Sequence, residues 1–351
     1  MKRARITEAS GFTFIEMVVA MGVTTVVMAS VFLLLQKGNR SFRREPQITE
    51  TTAAARIGID RISQDLTIAG FNAPPERAIM WFDGGGPATA PNPDMLTLVY
   101  SDPEVPWSRP LPCKSGGGGS CNTIGSSSTL NVDPSSLPPY VDPEQAYNDG
   151  QILMALQGPN GNPACDNVEP GLYPFEVTQR PKCTGAGAGS GSSCDALNIN
   201  HNPSDTSGLN YPGGFQNEVL VDCAVIGWFH IVQYRINPLP PTPNPMLERS
   251  DLLGDSWTPV SNNIENLQVR YAQGTNPAFF DVPPLVPTMN DPNTWITQVR
   301  ITVTGRTEST NLEGGTAGVF AAEDTHVRRS FTTTISLRNQ LGQAFELGAW
   351  N

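Results

Sequence analysis

No Gly-x-Ser-x-Gly elbow, His-Glu-x-x-His pair or Walker phosphate loop occurs in the chain, so the patterns that announce a serine hydrolase, a zinc protease or a nucleotidase are missing. Cysteine is never spaced Cys-x-x-Cys, and His201, His230 and His326 stand in no zinc-type spacing, which argues against a metal held by thiolate and imidazole. Basic charge is scarce: 22 Lys and Arg face 33 Asp and Glu, for a formal net charge of −11. That balance argues against a nucleic-acid surface. Asp102 and Glu104 ahead of Trp107 are the arrangement closest to a glycosidase carboxylate pair. Spacing of that kind arises easily by chance, and the chain reads as a non-enzyme.

What is present begins at Gly11-Phe12-Thr13-Phe14-Ile15-Glu16. From Phe12 to Leu35 the chain is apolar over 24 residues and Glu16 is its one charge; as a helix this run is about 36 Å long, enough to cross a bilayer. Lys2, Arg3 and Arg5 against Glu8 precede it, which keeps the N-terminus cytoplasmic and sends the remainder outside. A secretory signal carries its small-residue cleavage site after the apolar region. Here the small residue, Gly11, comes before it. A carboxylate inside a membrane segment costs up to roughly 2.5–3.5 kcal/mol at the helix centre and marks function.

These residues resemble the type IV prepilin class: a short basic leader, a glycine before the cut, a phenylalanine at the new N-terminus and a glutamate fifth after it. The resemblance implies that prepilin peptidase cleaves between Gly11 and Phe12 and methylates the Phe12 amine. It implies also that Glu16 pairs with an N-terminal ammonium and so registers subunits in a filament. Loss of the leader removes three basic residues and one acid, moving the net charge from −11 to −13.

All six cysteines, Cys113, Cys121, Cys165, Cys183, Cys194 and Cys223, lie beyond the membrane run, where oxidation is expected. Six allow 15 complete pairings. Cys113 with Cys121 and Cys183 with Cys194 each bracket a Gly/Ser-rich stretch, so two local bridges with Cys165 joined to Cys223 form the simplest set.

Between 47 and 69, Ala55, Ile59, Ile62, Leu66 and Ala69 recur at three-four spacing on one helix face. Arg61 and Asp65 fall on another face as an i, i+4 pair, and Gly70 is a natural stop. Gly38, Asn39 and Pro46 predict a kink or a melted stretch near 38–46. Strands are predicted at Met95–Tyr100, Gln151–Leu156, Glu218–Val221, Ala224–Ile236, Ile264–Ala272, Trp295–Thr307 and Ser330–Arg338, several alternating as a sheet with one wet face requires. An amphipathic helix across such a sheet is an α+β solution. The expected organisation is a leader (1–11), a membrane or filament-core helix (12–35), an amphipathic continuation (36–70) and a β-rich domain (71–351).

Inside that domain, stretches around 101–150 and 157–217 read as exposed insertions closed by disulfides, with Gly116–Gly119 and Gly185–Ser192 too simple in sequence to be phosphate cradles. Asp102, Glu104, Asp142, Glu144 and Asp149 there offer oxygens to calcium, without EF-hand spacing.

The segments Val232–Ile236, Pro259–Tyr271, Gln298–Val303, Gly305–Thr307 and Phe331–Asn339, with Arg61–Leu66 and Ala69–Phe71, resemble in order the PilW-type minor pilins. That resemblance implies a long helix packed on an antiparallel sheet. It implies a protein of the inner membrane with a periplasmic domain, later part of the tip of an extracellular pilus. Its implied partners are prepilin peptidase, other minor pilins, the major pilin and a large tip adhesin. The J-type minor pseudopilin of type II secretion is similar to the same segments, though much shorter.

Overall fold

The computed structural model describes residues 13–85, 92–102, 104–111, 129–158, 165, 168, 171–184, 194–202, 207, 209–210, 223–237, 244–251, 256–288, 291–310 and 325–340. These residues form an α+β fold, with one long N-terminal helix and four antiparallel sheets among them. Helix α1 (Phe14–Ile68) is uninterrupted over 55 residues and contains Pro46. The melted stretch expected near 38–46 does not occur. Proline costs one backbone hydrogen bond there, and docking of the following turns holds the helix together. Its end lies where the sequence placed it: Ala69 is the C-cap, and Gly70 has φ of 74°, a backbone that glycine adopts without penalty.

The first sheet contains β1 (Ile79–Phe82), β2 (Met95–Ser101), β10 (Phe229–Asn237), β11 (Met246–Ser250) and β12 (Thr258–Asn262), in the order β1-β2-β10-β11-β12. A second has the order β13-β14-β15, from β13 (Ile264–Gln273), β14 (Ile296–Arg306) and β15 (Arg328–Ser336). The third is β6 (Gly171–Glu176), β5 (Ile152–Gln157) and β9 (Ala224–Gly227), in that spatial order. The fourth has the order β3-β4-β8-β7, with β3 (Arg109–Pro110), β4 (Thr129–Asp133), β7 (Gln179–Thr184) and β8 (Ala196–Asn200).

Alternation of side chains along each strand stacks these sheets into layers. On β10, Val232, Tyr234 and Ile236 join Leu96 and Leu98 of β2 against Ala55, Ile62 and Leu66 of α1. Phe229 and Ile231 point the other way, to Met154 and Leu156 of β5. Leu153 and Ala155 of β5 then meet Leu130, Val132, Leu197 and Ile199 of the fourth sheet. The chain therefore builds helix, sheet, sheet and sheet in succession, and β2 and β5 are apolar on both faces because both faces are covered.

Two further sequence expectations are corrected. The expected strand Ala224–Ile236 is two strands in different sheets, β9 and β10, separated at Trp228. The stretches 101–150 and 157–217, read as exposed loops, contain β3, β4, β6, β7 and β8 and most of one buried cluster. Arg61 and Asp65 form the expected i, i+4 pair at 3.9 Å, and Asp65 is buried. The expected strand Glu218–Val221 lies outside the described residues.

Candidate functional site

The first half of α1 has no packing partner among the described residues. Every described residue from Phe14 to Leu35 is exposed, with Phe14 at 82% and Leu34 at 70%. This stretch alone is long and apolar enough to cross a membrane among the described residues. A helix that is apolar all round is stable only when something apolar surrounds it.

Its polar groups are closed internally. Thr24 Oγ1 donates to the Ala20 carbonyl at 2.8 Å, Thr25 Oγ1 to Met21 at 2.8 Å and Ser30 Oγ to Val26 at 2.9 Å, as a bilayer interior demands. Glu16 is satisfied the same way. Thr13 is the N-cap, and its hydroxyl accepts from the Glu16 amide at 3.3 Å. Glu16 Oε2 accepts from both the Thr13 amide and the Thr13 hydroxyl at 2.9 Å. This is a capping box: two otherwise orphaned groups are satisfied reciprocally, and the carboxylate sits at the positive end of the helix dipole. The Thr13-x-x-Glu16 spacing carried that signal in the sequence, and the membrane reading of Glu16 overlooked it.

The second half of α1 is fixed to the body by close approaches. A Cβ on Gly305 would lie 2.7 Å from Thr51 Cγ2, so glycine there lets β14 touch the helix. Thr51 Oγ1 donates to the Arg306 carbonyl at 3.2 Å, and Ser261 Oγ to the Ala54 carbonyl at 2.7 Å. Near the helix end, Asp65 Oδ2 accepts from Tyr234 Oη at 2.5 Å and Arg249 Nε at 2.7 Å. Arg61 is farther away, 3.9 Å from the same oxygen. The exposed apolar half is thus the continuation of a helix anchored at its other end.

Cys165 is bonded to Cys223 and Cys183 to Cys194; Cys113 and Cys121, like Gly11 and Phe12, lie outside the described residues. The acids considered for calcium do not converge. Asp102 Oδ1 accepts from the Glu104 amide at 2.9 Å, Asp142 Oδ1 from the Glu144 amide at 3.1 Å, and Glu144 Oε1 from the Cys183 amide at 3.1 Å. They serve as turn caps, and no group of three or more His, Cys, Asp or Glu side chains among the described residues is placed to hold a metal.

No protein-family model matches this chain, and no curated protein does. Among solved structures it is similar to a type IV-like pilin from Thermus thermophilus, at 8% identity and a TM-score of 0.28, over 85% of this chain and 98% of that one. Overlap that low carries no argument about family or function, which rest on this chain's own residues.

Proposed function

We propose that this chain is a minor pilin of the PilW type. In this reading prepilin peptidase cuts after Gly11 and methylates the amine of Phe12, and α1 holds the protein in the inner membrane with the β-rich body in the periplasm. The protein then joins other minor pilins and the major pilin at the pilus tip, where the complex primes assembly and presents a large adhesin. The observation that carries the reading is the apolar half of α1, which no described residue covers, which carries Glu16 five positions after Gly11 and which continues without a break into the half bonded to the body. A helix with this surface needs lipid before assembly and neighbouring helices after it, and one element serves both.

The test is intact mass with N-terminal sequencing of the protein from membranes and from sheared surface filaments. A chain starting at N-methyl-Phe12 in the filament fraction is expected. An unprocessed chain confined to membranes would overturn the proposal. In a deletion strain, loss of pili with secretion intact is expected; loss of secreted enzymes with pili intact would place the protein in a type II secretion pseudopilus instead.

A further inference from the structure

Every sheet has two edges, and an open edge presents a row of unpaired N–H and C=O groups. Among the described residues seven of the eight edges are blunted. Strand β1 has four residues. Strand β12 carries Pro259 and faces a register shift at Leu247/Glu248. Strands β3, β6 and β7 carry Pro110, Pro174 and Pro181. The outer side of β9 is bridged through Ile226 to Ser108. That of β13 is covered by Asp94, whose amide donates to the Leu267 carbonyl and whose Oδ2 accepts from the Val269 amide, and by the bridge from Tyr271 to Phe280.

Strand β15 is the exception. It pairs with β14 over nine residues, Arg306↔Arg328 to Gln298↔Ser336, without a register shift, and it has no proline or glycine. Among the described residues no strand lies on its outer side. Phe331 and Ile335 pack only partly against the helix-side core, whereas their partners Val303 and Val299 are fully buried.

We propose that the outer edge of β15 docks an extended segment of a different protein, acidic at its ends, which adds as a fourth strand beside β13-β14-β15. Main-chain bonds supply the affinity in such additions and alternate side chains the specificity. Charge selects the partner. Exposed Arg329 lies in the strand and exposed Arg338 two residues past its end, while Arg328 is already held by Glu265.

The experiment uses the full chain in detergent micelles with two labelled peptides, each of alternating valine and threonine, one ending in glutamates and one in lysines. Binding is read by fluorescence polarisation, and the site by amide exchange. The glutamate peptide is expected to bind about tenfold tighter than the lysine peptide and to slow exchange within 329–336. The double variant Arg329→Glu, Arg338→Glu, which leaves the ladder to β14 intact, is expected to reverse the preference. Equal binding of both peptides, or no protection of β15 by either, overturns the proposal. So does a chain that is already dimeric, with protected β15 amides, before any peptide is added.

Discussion

Asp65 on α1 and Arg249 on β11 stand 184 positions apart in sequence and 2.7 Å apart in space, so the helix and the first sheet are joined by a nearly buried ion pair. Their side chains are 8% and 12% exposed, and Tyr234 completes the group through its hydroxyl. Both the tyrosine and the guanidinium have pKa values above their ordinary ones. For Tyr234 burial acts first and the bond to Asp65 adds to it; for Arg249 the carboxylate outweighs a burial that acts the other way.

Removal of the Asp65 carboxylate strips the Tyr234 hydroxyl and Arg249 Nε of their acceptor and leaves the nearly buried guanidinium with Asp251 alone. Asp65→Ala is therefore expected to lower stability by about 3 kcal/mol, and Tyr234→Phe, which deletes one hydroxyl, by about 1 kcal/mol. Chemical denaturation of the full chain in detergent checks both, and equal effects from the two variants would contradict the assignment.

Acidity should act through Asp94. Its carboxyl is pushed up to about 6, first by burial, against the opposing effect of hydrogen bonds from the Val269 and Gly84 amides; nearby Asp83 and Asp281 add to the rise. Because the folded-state pKa lies above the ordinary one, the native protein holds more protons than the unfolded chain between pH about 4 and 6. Stability from this group is present at the acid end and is lost as pH rises through that window, by about 1–2 kcal/mol after solvent screening. Asp94→Asn should flatten that part of the stability profile measured by thermal melting.

The two disulfides differ in the loops they close, with sequence separations of 58 and 11. Loop-closure entropy gives the longer one about 1.5 kcal/mol more effect on the unfolded state. Cys223 also supplies a carbonyl, 3.0 Å from Arg77 Nη2, to a buried guanidinium whose pKa burial lowers to about 10. Replacing Cys165 and Cys223 with serine is expected to lower the melting temperature more than replacing Cys183 and Cys194, and an equal drop would refute the ranking.

The docked half of α1 was legible because Ala55, Ile62, Leu66 and Ala69 repeat at helical spacing and are all fully buried. Strands β13 and β14 were legible because they alternate over ten and eleven residues. Strands β4 and β8 were not. Each shows the same alternation, Leu130 with Val132 and Leu197 with Ile199, but over five residues beside glycine- and serine-rich sequence, where composition masks a short period. The partners of Asp65 were beyond reach because nothing local marks a carboxylate as belonging to an arginine 184 positions away. The box at Thr13 and Glu16 was within reach, being a spacing of three, and the apolar surroundings drew attention to the charge instead.

That box makes Glu16 separable into two roles. Glutamine at an N3 position still accepts from the N-cap amide, so Glu16→Gln keeps the cap and loses the charge, whereas Thr13→Ala loses most of the cap and keeps the charge. A cap is worth about 1 kcal/mol to the first turn, little against a helix anchored at Thr51, Ala54 and Asp65. If Glu16 acts by pairing with an ammonium during assembly, Glu16→Gln and Glu16→Ala should both leave processing and membrane insertion intact and sharply reduce surface filaments. Thr13→Ala should then leave filament number near normal. Sheared-filament yield beside total membrane protein measures all three, and full filament yield in Glu16→Gln would reduce the carboxylate to a helix cap.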